Sequence, residues 1–268
     1  MLACRSLLGV DFVNRASLIE VKSAREIAKI REACRITAVV LKDLAALVRP
    51  GLVTDVLNEE AKKRIEAYAG ARAAFYGYRG FPAHVCVSVN AEVVHGIPRK
   101  NKVLREGDVV SLDLGVECNG YYGDAAVSVT AGKAGAAASR LLAVTSEALA
   151  KAMSTVKAGA TVGDLGAAIQ GHVESHGMNV VREFVGHGIG RNLHEDPAIP
   201  NWGTPGKGAR LVAGMTIAIE PMVALGAGQI SIGSDGWTAK TKDGSPSAHF
   251  EHTVLVLNDG YEVLTRAN

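Results

Sequence analysis

From Ser23 onward, apolar residues at Ile27, Ile30, Cys34, Val39, Leu41, Leu44 and Leu47 recur at steps of mostly three or four among charged residues, until Pro50-Gly51 interrupts them. This is the period of one helical face, so the spacing predicts a long amphipathic helix stopped by a breaker. A second helix is expected from about Thr54, read as its N-cap, to Tyr68, ending near Gly70. The period then changes to two. Val85, Val87 and Val89 alternate with Cys86 and Ser88, and β-branched runs at 109–114 and 125–129 are bounded by Gly and Asp. All three segments read as strands, with a turn at Gly120 between the last two.

The second half repeats this order: an Ala-rich helix over 137–155, a shorter one over 162–176, then strands around Ile217, Ile230 and Val254. Val48, Gly51, Leu57 and Ile65 are matched by Val156, Gly159, Leu165 and Val173, each 108 residues further on (156 − 48). A helix pair followed by antiparallel strands, twice over, predicts an α+β fold of two similar halves with a ligand cleft between them.

Composition narrows the picture. In 268 residues, 48% are hydrophobic and 21% charged, which suits a folded globular chain and excludes a disordered or fibrous one. A formal net charge of +2, with no basic block longer than Lys62-Lys63-Arg64, requires no nucleic-acid partner. Cys4, Cys34, Cys86 and Cys118 form no CxxC pair, so neither a zinc knuckle nor a redox dithiol is expected, and a reducing cytoplasm suits them. No apolar run approaches the roughly 18 residues of a membrane span. Leu-Ala-Cys near the N-terminus is followed at once by Arg5, and residues 1–10 are read as carrying no export signal.

Candidate chemistry comes from acidic residues on apolar strands, where unpaired charge is expensive to bury. Asp113 lies within Val109-Val110-Ser111-Leu112-Asp113-Leu114, and Asp124 precedes Ala125-Ala126-Val127, a spacing that lets two antiparallel strands bring both carboxylates together. Glu220 ends Met215-Thr216-Ile217-Ala218-Ile219, and Glu251 sits beside Thr253-Val254-Leu255-Val256. Four such carboxylates in one cleft need cations. His187, in Gly186-His187-Gly188-Ile189-Gly190, adds a nitrogen donor where glycines allow close backbone approach. Oxygen donors with one imidazole suit Mn, Fe, Co or Zn in a shared two-metal site.

The ordered set Val94-His95-Gly96-Ile97-Pro98, Asp113, Asp124, Gly186-His187-Gly188-Ile189-Gly190-Arg191, His194-Glu195-Asp196-Pro197, Glu220-Pro221 and Glu251-His252-Thr253 resembles type I methionine aminopeptidase, over about residues 22–264. The resemblance implies the pita-bread fold, two pseudo-symmetric α/β halves with a curved antiparallel sheet backed by helices. It implies a short N-terminal segment (1–22) before one catalytic domain (23–268), cytoplasmic and monomeric. The implied reaction removes the initiator Met from nascent polypeptides with a small second residue, by a hydroxide held between two divalent ions.

Residue by residue, the resemblance makes Asp113, Asp124, His187, Glu220 and Glu251 the metal ligands, with Glu220 also moving the proton. It places His95 and His194 at the scissile amide. The Met pocket it implies is walled by Tyr78, Phe81, Cys86, Leu193 and Trp237, with Phe75 at the rim. Asn90, the Glu92 backbone and Ser247 fall where relatives hold a monovalent cation. Any ribosome contact, in the absence of a zinc-finger extension, is expected to use the catalytic domain's own surface.

Other readings are weaker. His172 and His176, four apart around Glu174, lack the Glu placement of HExxH and are read as a solvated helix face. Arg191 stands where a dinucleotide loop needs glycine, and GxSxG is absent. A prolyl aminopeptidase, prolidase or creatinase relative is expected to carry a longer N-terminal region, and a type II enzyme to carry an insert that 33 residues (220 − 187) cannot hold. A binding scaffold that has lost its metals has no physical need for the intact ligand set.

Overall fold

A computed structural model describes residues 19–267. Four helices carry the periodic segments: α1 (Ala24–Leu47), α2 (Thr54–Glu66), α3 (Ala136–Thr155) and α4 (Val162–Ser175). Ser23 caps α1 and forms a reciprocal capping box with Glu26, while Thr161 and Asp164 do the same for α4. The expected cap at Thr54 is corrected. Val53 is the N-cap of α2, and Thr54 Oγ1 instead donates to the Arg99 carbonyl at 3.1 Å and accepts from the Arg99 amide at 2.9 Å.

The strands of the first half are β1 (Ala71–Ala73), β2 (Cys86–Val89), β3 (Glu92–Val94), β4 (Val109–Cys118) and β5 (Tyr121–Thr130). Those of the second are β6 (Asn179–Val180), β7 (Val185–Gly188), β8 (Glu195–Pro200), β9 (Thr216–Ile219), β10 (Met222–Ala224), β11 (Ile230–Ile232), β12 (Ala239–Thr241), β13 (Ser247–His249), β14 (Glu251–Leu257) and β15 (Gly260–Val263). Among the described residues, one large antiparallel sheet runs in the order β1-β4-β5-β14-β9-β7-β8, with β2 on β4 and β15 on β14. β14 changes partners along its length, pairing β5 at Glu251 and His252 and β15 from Val254 on, which curls the sheet.

The two halves meet in this sheet, each with its own core. Leu57 and Ile65 of α2 pack with Leu112, Leu114 and Val116, and Leu165 and Val173 of α4 pack with Ile217, Val254 and Val256. The 108-residue repeat is structural. Val48 and Val156 are the C-caps of α1 and α3 with ψ of 119° and 117°, and Gly51 and Gly159 follow with φ of 80° and 91°, where an L side chain is strained. Val53 and Thr161, also 108 apart (161 − 53), each make an isolated antiparallel bridge, to Val103 and Arg210. β4 is buried along its whole length: its helix-facing side packs on α1, and its other side faces the concavity.

Candidate active site

Strand register alone assembles the acidic residues. Asp113 faces Ala126 across β4–β5, and Ala126 faces Glu251 across β5–β14, so Asp113 and Glu251 share one row and one face. Asp124, two residues before Ala126, is on that face too. On the other side of β14, His252 pairs with Ile219, which sets Glu251 opposite Glu220. His187 pairs with Ala218, two residues from Glu220, and joins the same face. Gly188 lets the chain pass here, since a Cβ would lie 2.3 Å from the Asp196 carbonyl oxygen.

One donor atom each from Asp124, His187 and Glu251 fall within 4.8 Å of one another, and His187 Nε2 lies 3.6 Å from Glu220 Oε1. The Nδ1–H of His187 donates to the Gly188 carbonyl at 2.8 Å, which fixes the tautomer and leaves the Nε2 lone pair facing the carboxylates.

The electrostatics test whether this cluster fits cations. Asp113, Asp124 and Glu251 are buried, and Glu220 is 12% exposed at its side chain. Burial pushes the Asp113 carboxyl up to about 7. Burial, then repulsion from neighbouring carboxylates, drives Asp124, Glu220 and Glu251 well above the usual range. Asp124 Oδ1 and Glu251 Oε1 have no hydrogen-bond partner among the described residues. Orphaned buried oxygens, mutual repulsion and a presented imidazole lone pair are what divalent ions would satisfy, so the donor set fits them. Burial also holds His187 and His95 down at about 4, leaving both neutral near pH 7.

Around the cluster lie the expected histidines and apolar wall. His95, after β3, takes a left-handed backbone (φ 58°) and meets Phe184 and Trp237 edge-on, with ring centroids 5.3 and 6.4 Å away. His194 opens towards solvent, with its ring 4.2 Å from that of His187 and its Nδ1 3.0 Å from the Tyr78 hydroxyl. Its loop is tied down by Glu195, which accepts from the Asn192 amide and pairs with buried Lys22 at 2.5 Å. Phe81, Cys86, Phe75 and Trp237 pack together, with Phe81 and Trp237 edge-to-face at 5.2 Å. Leu193, Tyr78 and Phe75 form the adjoining cluster, so Phe75 joins the two walls. Cys86 is in register with Asp113, which puts the pocket against the carboxylates.

Ser247 Oγ donates to the carbonyls of both Asn90 and Glu92, at 3.1 and 3.2 Å, so those three expected positions also come together.

His249 had no place in the sequence reading. It is 1% exposed, with Nε2 3.7 Å from Glu220 Oε2 and neither ring nitrogen hydrogen-bonded among the described residues. The available signal was its position two residues before Glu251. The solvated-face reading of His172 and His176 is corrected: the His172 side chain is only 12% exposed and lies against Glu147 of α3. The export-signal reading and Cys4 lie outside the described residues. No helix among those described is long and apolar enough to cross a membrane.

Comparison with known proteins places the chain in a family. The family model of metallopeptidase family M24 matches residues 28–258. Methionine aminopeptidase A of Synechocystis sp. is 46% identical over 92% of this chain and 97% of its own. The crystal structure of methionine aminopeptidase from Thermotoga maritima superposes with a TM-score of 0.91 at 46% identity, covering 93% of this chain and all of that one (100%). Prolidase from Pyrococcus furiosus shares the fold alone, at 21% identity and a TM-score of 0.74, and this chain spans 66% of it. Full-length similarity at this level, on a curled antiparallel sheet backed by four helices, shows that the chain belongs to metallopeptidase family M24, among the methionine aminopeptidases.

Proposed function

We propose that the protein removes N-terminal methionine from nascent polypeptides whose second residue is small, as a metal-dependent aminopeptidase. The observation that carries this reading is the convergence of Asp124, His187 and Glu251 within 4.8 Å on a face walled by Phe81, Cys86 and Trp237. In this reading Asp113, Asp124, His187, Glu220 and Glu251 hold two divalent ions of the Mn, Fe, Co or Zn class. When bound, such ions polarise a carbonyl and lower the pKa of water.

The chain's own groups supply the rest. The wall of Tyr78, Phe75, Phe81, Cys86, Leu193 and Trp237 takes the unbranched Met side chain and excludes water around it. His95 and His194 hydrogen-bond the scissile amide and hold its developing charge. A Glu220 carboxylate oxygen accepts a proton from the attacking water as the C–O bond forms, and passes it to the amide nitrogen as the C–N bond breaks. Both atoms and charge balance: one water is consumed, and free methionine and a new N-terminus are released.

Asn90, the Glu92 carbonyl and Ser247 are proposed to be the residues that would hold a monovalent cation. Nascent chains are the proposed partners, met on the catalytic domain's own surface by a cytoplasmic monomer. The test is a series of peptides Met-Xaa-Ser: the reading expects methionine release to fall as Xaa grows from Ala to Leu, and release insensitive to Xaa would remove the small-residue specificity from it.

A further inference from the structure

We propose that Glu147, His172 and His176 form a second divalent-metal site, separate from the catalytic centre, that ties α3 to the end of α4. Donor atoms of these three side chains lie within 4.8 Å of one another. Glu147 comes from α3, His172 from the last turn of α4, and His176 is the C-cap of α4, so the two imidazoles are one helical turn apart on one face. Their ring centroids are 4.6 Å apart.

His176 Nδ1 lies 2.8 Å from the His172 carbonyl, an acceptor only, so in the neutral ring Nδ1 carries the proton and Nε2 keeps its lone pair. This is the arrangement by which Gly188 presents His187 to the catalytic cluster. His172 Nε2 is buried and lies 3.1 Å from Glu147 Oε2, yet makes no hydrogen bond among the described residues because the two are out of line. A cation shared between that nitrogen and the carboxylate needs no such alignment. Glu147 is 59% exposed at its side chain, which leaves solvent access for entry and for water ligands.

Two imidazoles and one carboxylate are the donor set of three-ligand zinc sites with an open position, and select Zn, Co or Ni over Mg or Ca. Arg140 of α3 donates to the His176 carbonyl and is thereby turned to the backbone.

The test is equilibrium dialysis of Zn against metal-stripped wild type, Glu147→Gln, His172→Gln and His176→Gln, with Co absorption spectra on the same set. All three positions lie outside the catalytic machinery, so Met release at saturating catalytic metal is expected to be unchanged. Wild type is expected to bind one Zn more than each variant, with affinity at this site lost by more than roughly 10-fold, the loss that even an outer-shell partner costs. In an Asp124→Asn/Glu251→Gln background the catalytic ions are lost and this one is expected to remain, with tetrahedral Co bands that His172→Gln removes. Glu147→Gln changes an exposed side chain and is expected to leave the fold intact, which circular dichroism checks. Equal stoichiometry in wild type and Glu147→Gln, or no Zn retained in the Asp124→Asn/Glu251→Gln background, would overturn the proposal and leave a His172–Glu147 contact only.

Discussion

His249 Nε2 stands 3.7 Å from Oε2 of Glu220, while His187 holds the other oxygen of that carboxyl at 3.6 Å. Glu220 is thus flanked by two imidazoles, only one of which the proposed ligand set includes. His249 has no substrate-binding role in the proposal; lying against Glu220, it is expected to act through that carboxylate, as a positioning residue.

His249→Ala is expected to lower kcat by roughly 10- to 100-fold, the usual cost of losing a partner behind a metal ligand, with little change in KM. His249→Gln keeps a polar group of similar reach and should recover most of the loss. Steady-state kinetics on both variants at saturating metal checks this, and a pure stability loss with unchanged kcat would contradict it.

Removing the metals should make stability fall with pH above about 6.5. In metal-stripped protein the Asp113 carboxyl is raised from 3.8 to about 7, so the folded state holds a proton that the unfolded chain has released. That contribution is lost as pH rises through about 7. His95, His187, His249 and His252, all held low by burial, have the opposite sign below 6.5, where the unfolded chain takes up protons that the folded state does not. Above that value the carboxylates set the sign, so chemical denaturation of stripped protein from about pH 6.5 to 8 should show the decline, and saturating metal, which binds only the folded carboxylate cluster, should remove it. A stripped protein that gains stability over that window would contradict the buried-carboxylate reading.

Trp237 stacks edge-on against Phe81 while remaining partly open to the cleft. Trp237→Ala is expected to raise KM for methionyl peptides by about 10-fold, equivalent to about 1.4 kcal/mol of lost contact, with kcat less affected. A change confined to kcat would mean that this residue does not bind the methionine side chain.

Leu57 and Leu165, 108 positions apart, are both 0% exposed and occupy matching turns of α2 and α4. Replacing either by Ala should cost roughly 2–5 kcal/mol, read as a shift in denaturant midpoint. If only one of the pair proved costly, the two halves would not be equivalent in packing.

Those two leucines also show why much of the fold was legible in the sequence. Helices with long apolar stripes declare their period, and all four lie within two residues of the expected bounds except the end of the first. Strands such as β3, β6, β10 and β13, of two or three residues, are too short to show alternation, and nothing local announces them. Thr54 misled because its hydroxyl serves the Arg99 loop, a contact of 45 residues' separation that a local pattern cannot carry. The five ligand-type residues were legible because charge on an apolar strand is costly unless something compensates it. His249 was not, because a histidine beside Phe250 in a buried strand reads as core until β13 pairs with β10 and turns it towards Glu220.

The most direct test of the central claim is release of free methionine from a Met-Ala-Ser peptide by metal-stripped protein, titrated with Mn, Co, Fe and Zn, beside an Ala-Pro-Ala peptide. The account predicts no release without metal, metal-dependent release of Met alone, and loss of that release in Asp113→Asn and Glu220→Gln with the fold intact by circular dichroism. Cleavage of the Pro peptide in place of the Met peptide, or full activity in either variant, would contradict it.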